Sequence, residues 1–307
     1  MSAKTLIAVV GPTAIGKTRL GITVASHFKT EIISADSRQF FKEMTIGTAV
    51  PSADELLAIP HYFIQHKSVS EPYSVGDFER DTITLLKTLF QKNDFIVMVG
   101  GSGLYVDAVV RGLDKFPEVD PKVRESLRLQ LEQDGLFSLQ NELRKRDPKY
   151  YESVDIENPH RVIRALEICI TANKPYSSFL NKQKNVRNFK TVYLGINADR
   201  QVIYDRINQR VDVMMDSGLL EEAKKLYPHR NLNALQTVGY RELFQYFDGN
   251  FMLDFAISEI KKNTRRFAKR QLTWLRKNDD ILWVNQDEAP SSILEKLTDK
   301  INNASNG

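Results

Sequence analysis

Cysteine is almost missing from this chain. The single one, Cys169, excludes an internal disulfide framework and a cysteine-based metal site. It stands in the apolar series Val162, Ile163, Leu166, Ile168 and Ile170, so it is expected to be a buried small hydrophobe. Long apolar runs are missing too. No stretch reaches the eighteen or so residues of a membrane span, and the N-terminus carries no leader pattern. No membrane partner is therefore expected, and the cytoplasm is the default location. Charge of one sign is in small excess: 43 basic against 39 acidic residues, a net charge of +4. That balance alone argues for no polyanionic partner, but its distribution does. Lys261, Lys262, Arg265, Arg266, Lys269, Arg270, Arg276 and Lys277 crowd one short stretch near the C-terminus. No internal repeat or low-complexity tract appears. What remains, 42% hydrophobic and 27% charged over 307 residues, suits one large globular domain or two modest ones.

The most informative segment is Gly11-Pro12-Thr13-Ala14-Ile15-Gly16-Lys17-Thr18, directly behind the apolar run Leu6 to Val10. This is the phosphate-loop pattern in its proper setting of strand, glycine turn and helix. Backbone N–H groups and a helix start converge there on a di- or triphosphate. Lys17 adds a point charge, and the Thr18 hydroxyl can ligate Mg²⁺.

Further short apolar runs read as strands: Glu31 to Ser34, Phe95 to Val99, Thr191 to Ile196 and Ile281 to Val284. Separated by helical stretches, they predict a parallel sheet covered on both faces. The fold class is α/β, a P-loop NTPase-like parallel sheet with helices on both faces and an inserted all-helical subdomain. Core segments span residues 1–112 and 190–307. The insertion, 113–189, shows no strand. Asp120-Pro121 and Asn158-Pro159 start helices in it, with Leu127, Leu131, Leu136, Leu139 and Leu143 at helical spacings. The stretch Lys182 to Lys190 brings the chain back, and Asn302 to Gly307 are expected to fray.

Ligands of such sheets sit beyond the carboxyl ends of the strands. The candidates there are Gly11 to Thr18, Asp36 to Gln39, and Gly100 to Tyr105. Asp36 can be a Mg²⁺ ligand, a general base or a helix N-cap. Gly100-Gly101-Ser102-Gly103 lets backbone approach a ligand closely. Arg206 and Arg210, one helical turn apart, either clamp a diphosphate or form a solvated face with Asp205 and Asp212. In the basic helix over 257–277, Ile257, Ile260, Phe267, Ala268 and Leu275 are expected to pack inward. Lys262, Arg266, Lys269, Arg270, Thr273 and Lys277 form an outer stripe, with no acid between Lys261 and Lys277. Such a stripe favours nucleic acid over a merely solvated face. A phosphate loop by itself would equally suit a small-molecule or nucleoside kinase.

Taken together, the chain resembles the tRNA dimethylallyltransferase (tRNA isopentenyltransferase) family nearly end to end. The resemblance is carried by residues 11–18 and by Ser34-Ala35-Asp36-Ser37-Arg38-Gln39. It is carried further by Ile46-Gly47-Thr48-Ala49, Val99 to Tyr105, Asn158 to Glu167, Gln236 to Arg241, and Thr264 to Arg276.

That resemblance implies transfer of a prenyl group from dimethylallyl diphosphate to N6 of the adenine 3′ to the anticodon in tRNA, with Mg²⁺ as cofactor. It implies Asp36, Thr13, Lys17 and Arg210 as catalytic residues, Gly11 to Thr18 as the diphosphate site and Thr18 as metal ligand. It further implies tRNA contacts at Asp36, Ser37, Arg38, Gln39, Ser102, Arg124, His160, Arg161, Val162, Ile163 and Arg164. The same holds for Gln236, Thr237, Val238, Gly239, Tyr240, Arg241, Lys269 and Arg270. ATP affinity at the loop would be incidental, and a monomer is expected. Three positions depart from the family's usual pattern: Ser102 for Thr, Val50 for Lys after Gly-Thr-Ala, and His61-Tyr62 for a His pair.

Overall fold

The computed structural model describes residues 4–180 and 186–306. The chain separates into two compact units, one of Met1–Val110 with Arg187–Gly307 and one of Arg111–Val186.

The first unit is built on six strands. They are β1 (Thr5–Val10), β2 (Ile32–Ser34), β3 (His61–Tyr62), β4 (Phe95–Gly100), β5 (Lys190–Asn197) and β6 (Ile281–Asn285). They form one all-parallel sheet in the order β3-β2-β4-β1-β5-β6. Strand β1 is central, with Leu6 in register with Ile96 of β4 and Thr191 of β5. All six of its residues are buried, as expected of a strand covered on both faces. Its side chains alternate between two cores. Leu6, Ala8 and Val10 enter one, and Ile7 and Val9 the other. The four longer strands fall where the apolar runs predict them. Two-residue β3 has no comparable run and is legible only as an edge partner of β2.

The helices of this unit are α1 (Lys17–Phe28), α2 (Ala53–Ala58), α3 (Val75–Leu89), α4 (Gly103–Arg111) and, after the second unit, α8 (Arg200–Asp216) and α9 (Leu219–Leu226). The rest are α10 (Tyr240–Phe247), α11 (Leu253–Leu275) and α12 (Pro290–Asn306). Ser52 and Ser74 start α2 and α3 with capping boxes. Against the expected fraying, α12 stays helical to Asn306; Ile293, Leu297 and Ile301 anchor it in the core through Ile7 and Val9.

The second unit contains α5 (Pro121–Arg146), α6 (Pro148–Ser153) and α7 (Pro159–Ala172). Asp120 caps α5 by accepting from the Lys122 N–H at 2.9 Å, and Asn158 caps α7 by accepting from the His160 N–H at 3.1 Å. Proline follows each cap, where its missing N–H costs nothing. Gly135, at φ 76°, interrupts the helical backbone of α5. The unit has its own core of Leu127, Leu139, Leu143, Val162, Ala165 and Leu166. Cys169 is buried, and its sulfur accepts from the Tyr176 N–H at 3.2 Å. Residues 182–185 of the expected return stretch lie outside the described residues. Beyond them Arg187 pairs with Glu79 at 2.6 Å and donates to the Ala108 carbonyl at 2.7 Å.

Candidate active site

Three loops leave the carboxyl edge of the sheet side by side. They follow β1, β2 and β4, which neighbour one another, so the chain's order of motifs becomes one surface. Together they line a cavity of about 970 Å³ that takes in Thr13 to Thr18, Asp36 to Gln39 and Gly100 to Tyr105. The three segments expected from sequence to share an edge are thus brought to one place.

The phosphate loop reaches α1 through left-handed backbone at Ala14 (φ 64°) and Gly16 (φ 103°). Gly16 serves as N-cap with no side-chain bond, leaving the first N–H groups of α1 open to an anion. Lys17 folds back along this loop, its Nζ donating to the Pro12 carbonyl at 2.7 Å. Burial pushes the Lys17 pKa down to about 8; the Asp36 carboxylate pulls it up and the Arg210 guanidinium adds to the lowering.

Arg210 enters the cavity from α8. Its pKa is lowered by burial, and the Asp36 carboxylate works against that lowering. Arg206, one turn away, is spent elsewhere: its Nε donates to the Ala14 carbonyl at 2.9 Å and its Nη1 to Gln286 at 2.8 Å. The two arginines therefore do not act as a pair. Both line the cavity, but Arg206 braces the phosphate loop through Ala14, while Arg210 faces the Asp36 carboxylate. The acids offered as partners of a solvated face are otherwise engaged, Asp205 by Gln201 and Asp212 by Lys261.

Asp36 does not cap a helix. Its Oδ1 accepts the Arg38 N–H at 3.1 Å, an Asx turn that aims the carboxylate at the cavity. The Ser34 hydroxyl supports the turn by accepting the Asp36 N–H at 3.3 Å. Arg38 Nη1 donates to the carbonyls of Asn233 and Ala234, at 3.2 and 2.8 Å, tying this turn to the segment leading into Gln236. The Gln39 amide is also internal, donating to the Thr48 and Ala49 carbonyls at 3.3 and 2.9 Å. The hydroxyls of Ser37 and Ser102 lie 3.4 Å apart, joining the β2 and β4 loops. Thr237, Val238 and Gly239 line the same cavity, while Gln236 and Arg241 line a separate recess of about 460 Å³.

Several expected contact residues turn inward. Tyr240 is fully buried, donating to Glu222 at 2.7 Å. Val162 and Ile163 are core residues of the second unit. None of these three side chains can touch a ligand from solution, because each is an apolar or internally bonded member of a packed face. In that unit His160 and Arg161 are exposed. Arg124 and Arg164 share the buried carboxylate of Glu167, Arg124 Nη2 at 2.9 Å and Arg164 Nη1 at 3.3 Å.

Helix α11 supplies part of the cavity wall through Ile260, Phe267, Arg270, Gln271 and Trp274. Phe267 corrects an expectation: it is 38% exposed at the cavity wall rather than packed inside. Arg270 lies over its ring, 5.7 Å from the centroid. The basic stripe is only partly free. Lys261 pairs with Asp212 at 2.6 Å, Lys262 with Glu259 at 2.7 Å, and Arg265 donates to Asn208 at 2.6 Å. Arg266, Lys269, Arg270, Arg276 and Lys277 remain exposed.

Two functional-looking residues were not found from sequence. Gln271 reaches both the phosphate loop and the β4 turn; its signal was a polar residue on the inward stripe between Ala268 and Leu275. Glu222 binds the backbone N–H groups of Thr45, Ile46 and Gly47. Nothing in the composition of α9 marks it apart from its acidic neighbour Glu221. Among the described residues no group of three or more His, Cys, Asp or Glu is placed to hold a metal ion.

Comparison with known proteins agrees with this architecture. The chain matches the IPP transferase family over residues 39–278. It is 62% identical to the tRNA dimethylallyltransferase of Christiangramia forsetii over 297 residues, covering 97% of this chain and 98% of that one. It is 55% identical to the same-named protein of Flavobacterium johnsoniae over 304 residues, covering 97% and 98%. Among solved structures it resembles the full-length tRNA isopentenylpyrophosphate transferase of Bacillus halodurans, with TM-score 0.74, 36% identity, and 99% and 98% of the two chains covered. A eukaryotic dimethylallyltransferase acting on tRNA is similar at TM-score 0.83 and 26% identity, with 98% of this chain and 80% of that one covered. On these matches the chain belongs to the IPP transferase family.

Proposed function

We propose that this protein transfers the dimethylallyl group of dimethylallyl diphosphate to N6 of the adenine 3′-adjacent to the anticodon in tRNA, releasing diphosphate. The observation that carries the reading is a charge imbalance in the cavity. Two half-buried cations, Lys17 and Arg210, line the cavity with one carboxylate, Asp36. A partly desolvated cation in excess of its counter-charge favours an anion, so the cavity suits a negatively charged ligand. The open amides of the phosphate loop favour a phosphate ester as that anion.

The chemistry follows from the same three groups. The allylic C–O bond breaks and its electrons leave with the diphosphate. Lys17, Arg210 and the loop amides lower the barrier by meeting that charge as it develops. The adenine N6 lone pair forms the new C–N bond, and the surplus proton on N6 passes to the Asp36 carboxylate. Thr13 lines the cavity and would stand beside the donor. An adenine must leave its stack to arrive here, which is cheaper from a loop than from a duplex. The exposed cations of α11 and the exposed His160 and Arg161 would hold backbone phosphates.

Thr18 lines the cavity, and its hydroxyl suits Mg²⁺, with the remaining ligands left to diphosphate and water, so that Asp36 stays free as the base. When bound, the ion would help neutralise the leaving diphosphate. A monomer in the cytoplasm is the setting that this reading assumes.

The test is incubation of the protein with Mg²⁺, labelled dimethylallyl diphosphate and an anticodon stem-loop. Label in the RNA is expected. Phosphate transfer from ATP with unlabelled RNA would replace this reading with a kinase.

A further inference from the structure

Gln271 stands in the most basic stretch of the chain, yet it is 8% exposed. Both ends of its carboxamide are used. Oε1 accepts the Thr13 N–H at 2.9 Å, and Nε2 donates to the Gly101 carbonyl at 2.8 Å. Thr13 belongs to the phosphate loop after β1, and Gly101 to the turn after β4. One side chain therefore spans the two loops. The fit leaves no spare room. A Cβ on Gly101 would lie 2.4 Å from Gln271 Nε2, and one on Gly103 would lie 2.3 Å from the Trp274 indole. Thus α11 is seated on both loops by Gln271 and Trp274, while Arg266 and Lys269 of the same helix are exposed and Arg270 is exposed at the cavity wall.

We infer that Gln271 is a positioning residue for the donor diphosphate. It pins the Thr13 peptide, so that the amides that follow are held open to the anion, and it fixes the spacing between that loop and the turn bearing Ser102. The inference rests on the reading that a prenyl diphosphate occupies the loop. A residue that merely filled the core would be replaceable by an apolar isostere. Here the Thr13 N–H and the Gly101 carbonyl would each lose a partner, and such unmet buried groups are expensive.

Two variants test it. Gln271→Leu keeps the volume and removes both bonds. Gln271→Glu has a built-in rescue. When protonated, the new carboxyl accepts with its carbonyl oxygen and donates with its hydroxyl, as the amide does; when ionised, it has no donor for Gly101 and repels the diphosphate. Donor KM and kcat are measured alongside tRNA affinity, from about pH 8 down to about pH 5, toward the range in which a carboxyl takes up its proton. Gln271→Leu is expected to raise donor KM about tenfold, through misplaced loop amides, with tRNA affinity little changed. For Gln271→Glu, the ratio of variant to wild-type kcat/KM is expected to climb as pH falls. A flat ratio, or a loss that falls on tRNA affinity with donor KM unmoved, overturns the inference. If Gln271→Leu fails to fold, the Gln271→Glu ratio decides alone. Wild-type protein that places no label in RNA would sink the proposed function. Wild-type labelling with indistinguishable variants would sink only the role of Gln271.

Discussion

The Lys17 ammonium donates to the Pro12 carbonyl at 2.7 Å, bent back onto its own loop. An uncharged oxygen thus stands where an anion's would be stronger, and burial keeps the Lys17 pKa down at about 8, against the pull of Asp36. A bound diphosphate raises that pKa by adding negative charge. Below about pH 8 Lys17 is charged in both states, and this group gives donor affinity no pH dependence. Above it, the free protein holds Lys17 neutral while the complex holds it charged. Binding then takes up a proton, and affinity falls by up to about tenfold per pH unit. Calorimetric titration of Mg²⁺-diphosphate at about pH 9, in two buffers of different ionisation heat, reads the proton directly. Uptake is expected for the wild type and none for Lys17→Met; equal heats in both buffers for the wild type would contradict the assignment.

Asp36 offers a cleaner variant than truncation to alanine. Its Oδ1 accepts the Arg38 N–H and so shapes the turn that holds Arg38 against Asn233 and Ala234. Asparagine keeps an acceptor at that position and loses the charge and the base. Asp36→Asn is expected to cut turnover by about 10²-fold or more while tRNA affinity stays within a few-fold. Single-turnover transfer and filter binding on the same preparation separate the two. Intact turnover with collapsed affinity would make Asp36 an RNA contact instead.

The sheet was legible because its strands are continuous apolar runs, and β1, fully buried, is the extreme case. The phosphate loop was legible because its residue types have little other use. The Asp36 and Gly100 loops were placed at the same edge by a rule about strand ends, before any distance was known. What stayed hidden depends on partners remote in sequence. That Arg206 is held by protein partners while both arginines line the cavity depends on Ala14 and Gln286, which engage it. Helical spacing alone gives both the same face. The basic stripe reads as uniformly available until Asp212 and Glu259 are seen to take Lys261 and Lys262. Phe267 read as core by spacing, but the cavity wall removes the neighbours that would have covered it.

Glu222 holds the loop after β2 without entering the cavity. Its Oε2 accepts the Thr45 and Ile46 N–H groups at 3.0 and 2.8 Å, and its Oε1 accepts the Gly47 N–H at 2.9 Å and the Tyr240 hydroxyl at 2.7 Å. Burial and this carboxylate together push the Tyr240 pKa up, so the hydroxyl stays a donor. Glu222→Ala leaves that fully buried hydroxyl and three amides short of their acceptor, a cost of about 2–4 kcal/mol. Tyr240→Phe removes one bond while Glu222 keeps its amides, and should cost about 1 kcal/mol. Urea unfolding with unchanged slope checks both. Equal losses would mean that Glu222 serves Tyr240 and not the loop.

The exposed end of the basic stripe should be where RNA charge is met. Lys269 and Arg270 are exposed and carry no acid partner among the described residues, whereas Lys261 and Lys262 are neutralised by Asp212 and Glu259. Each phosphate contact displaces condensed counterions, so log affinity falls with log salt in proportion to the number of contacts. Replacing Lys269 and Arg270 together with alanine should weaken binding of an anticodon stem-loop and flatten the salt slope by up to about two. Replacing Lys261 and Lys262 together is the internal control: the same formal charge is lost, but the slope should stay near the wild-type value. Arg270 also lies over Phe267 at the cavity wall, so its loss can loosen that ring as well. A slope that drops equally for both pairs would mean that overall charge, and not the exposed stripe, draws the RNA in. A slope unmoved by Lys269→Ala with Arg270→Ala would mean that this part of α11 faces only water.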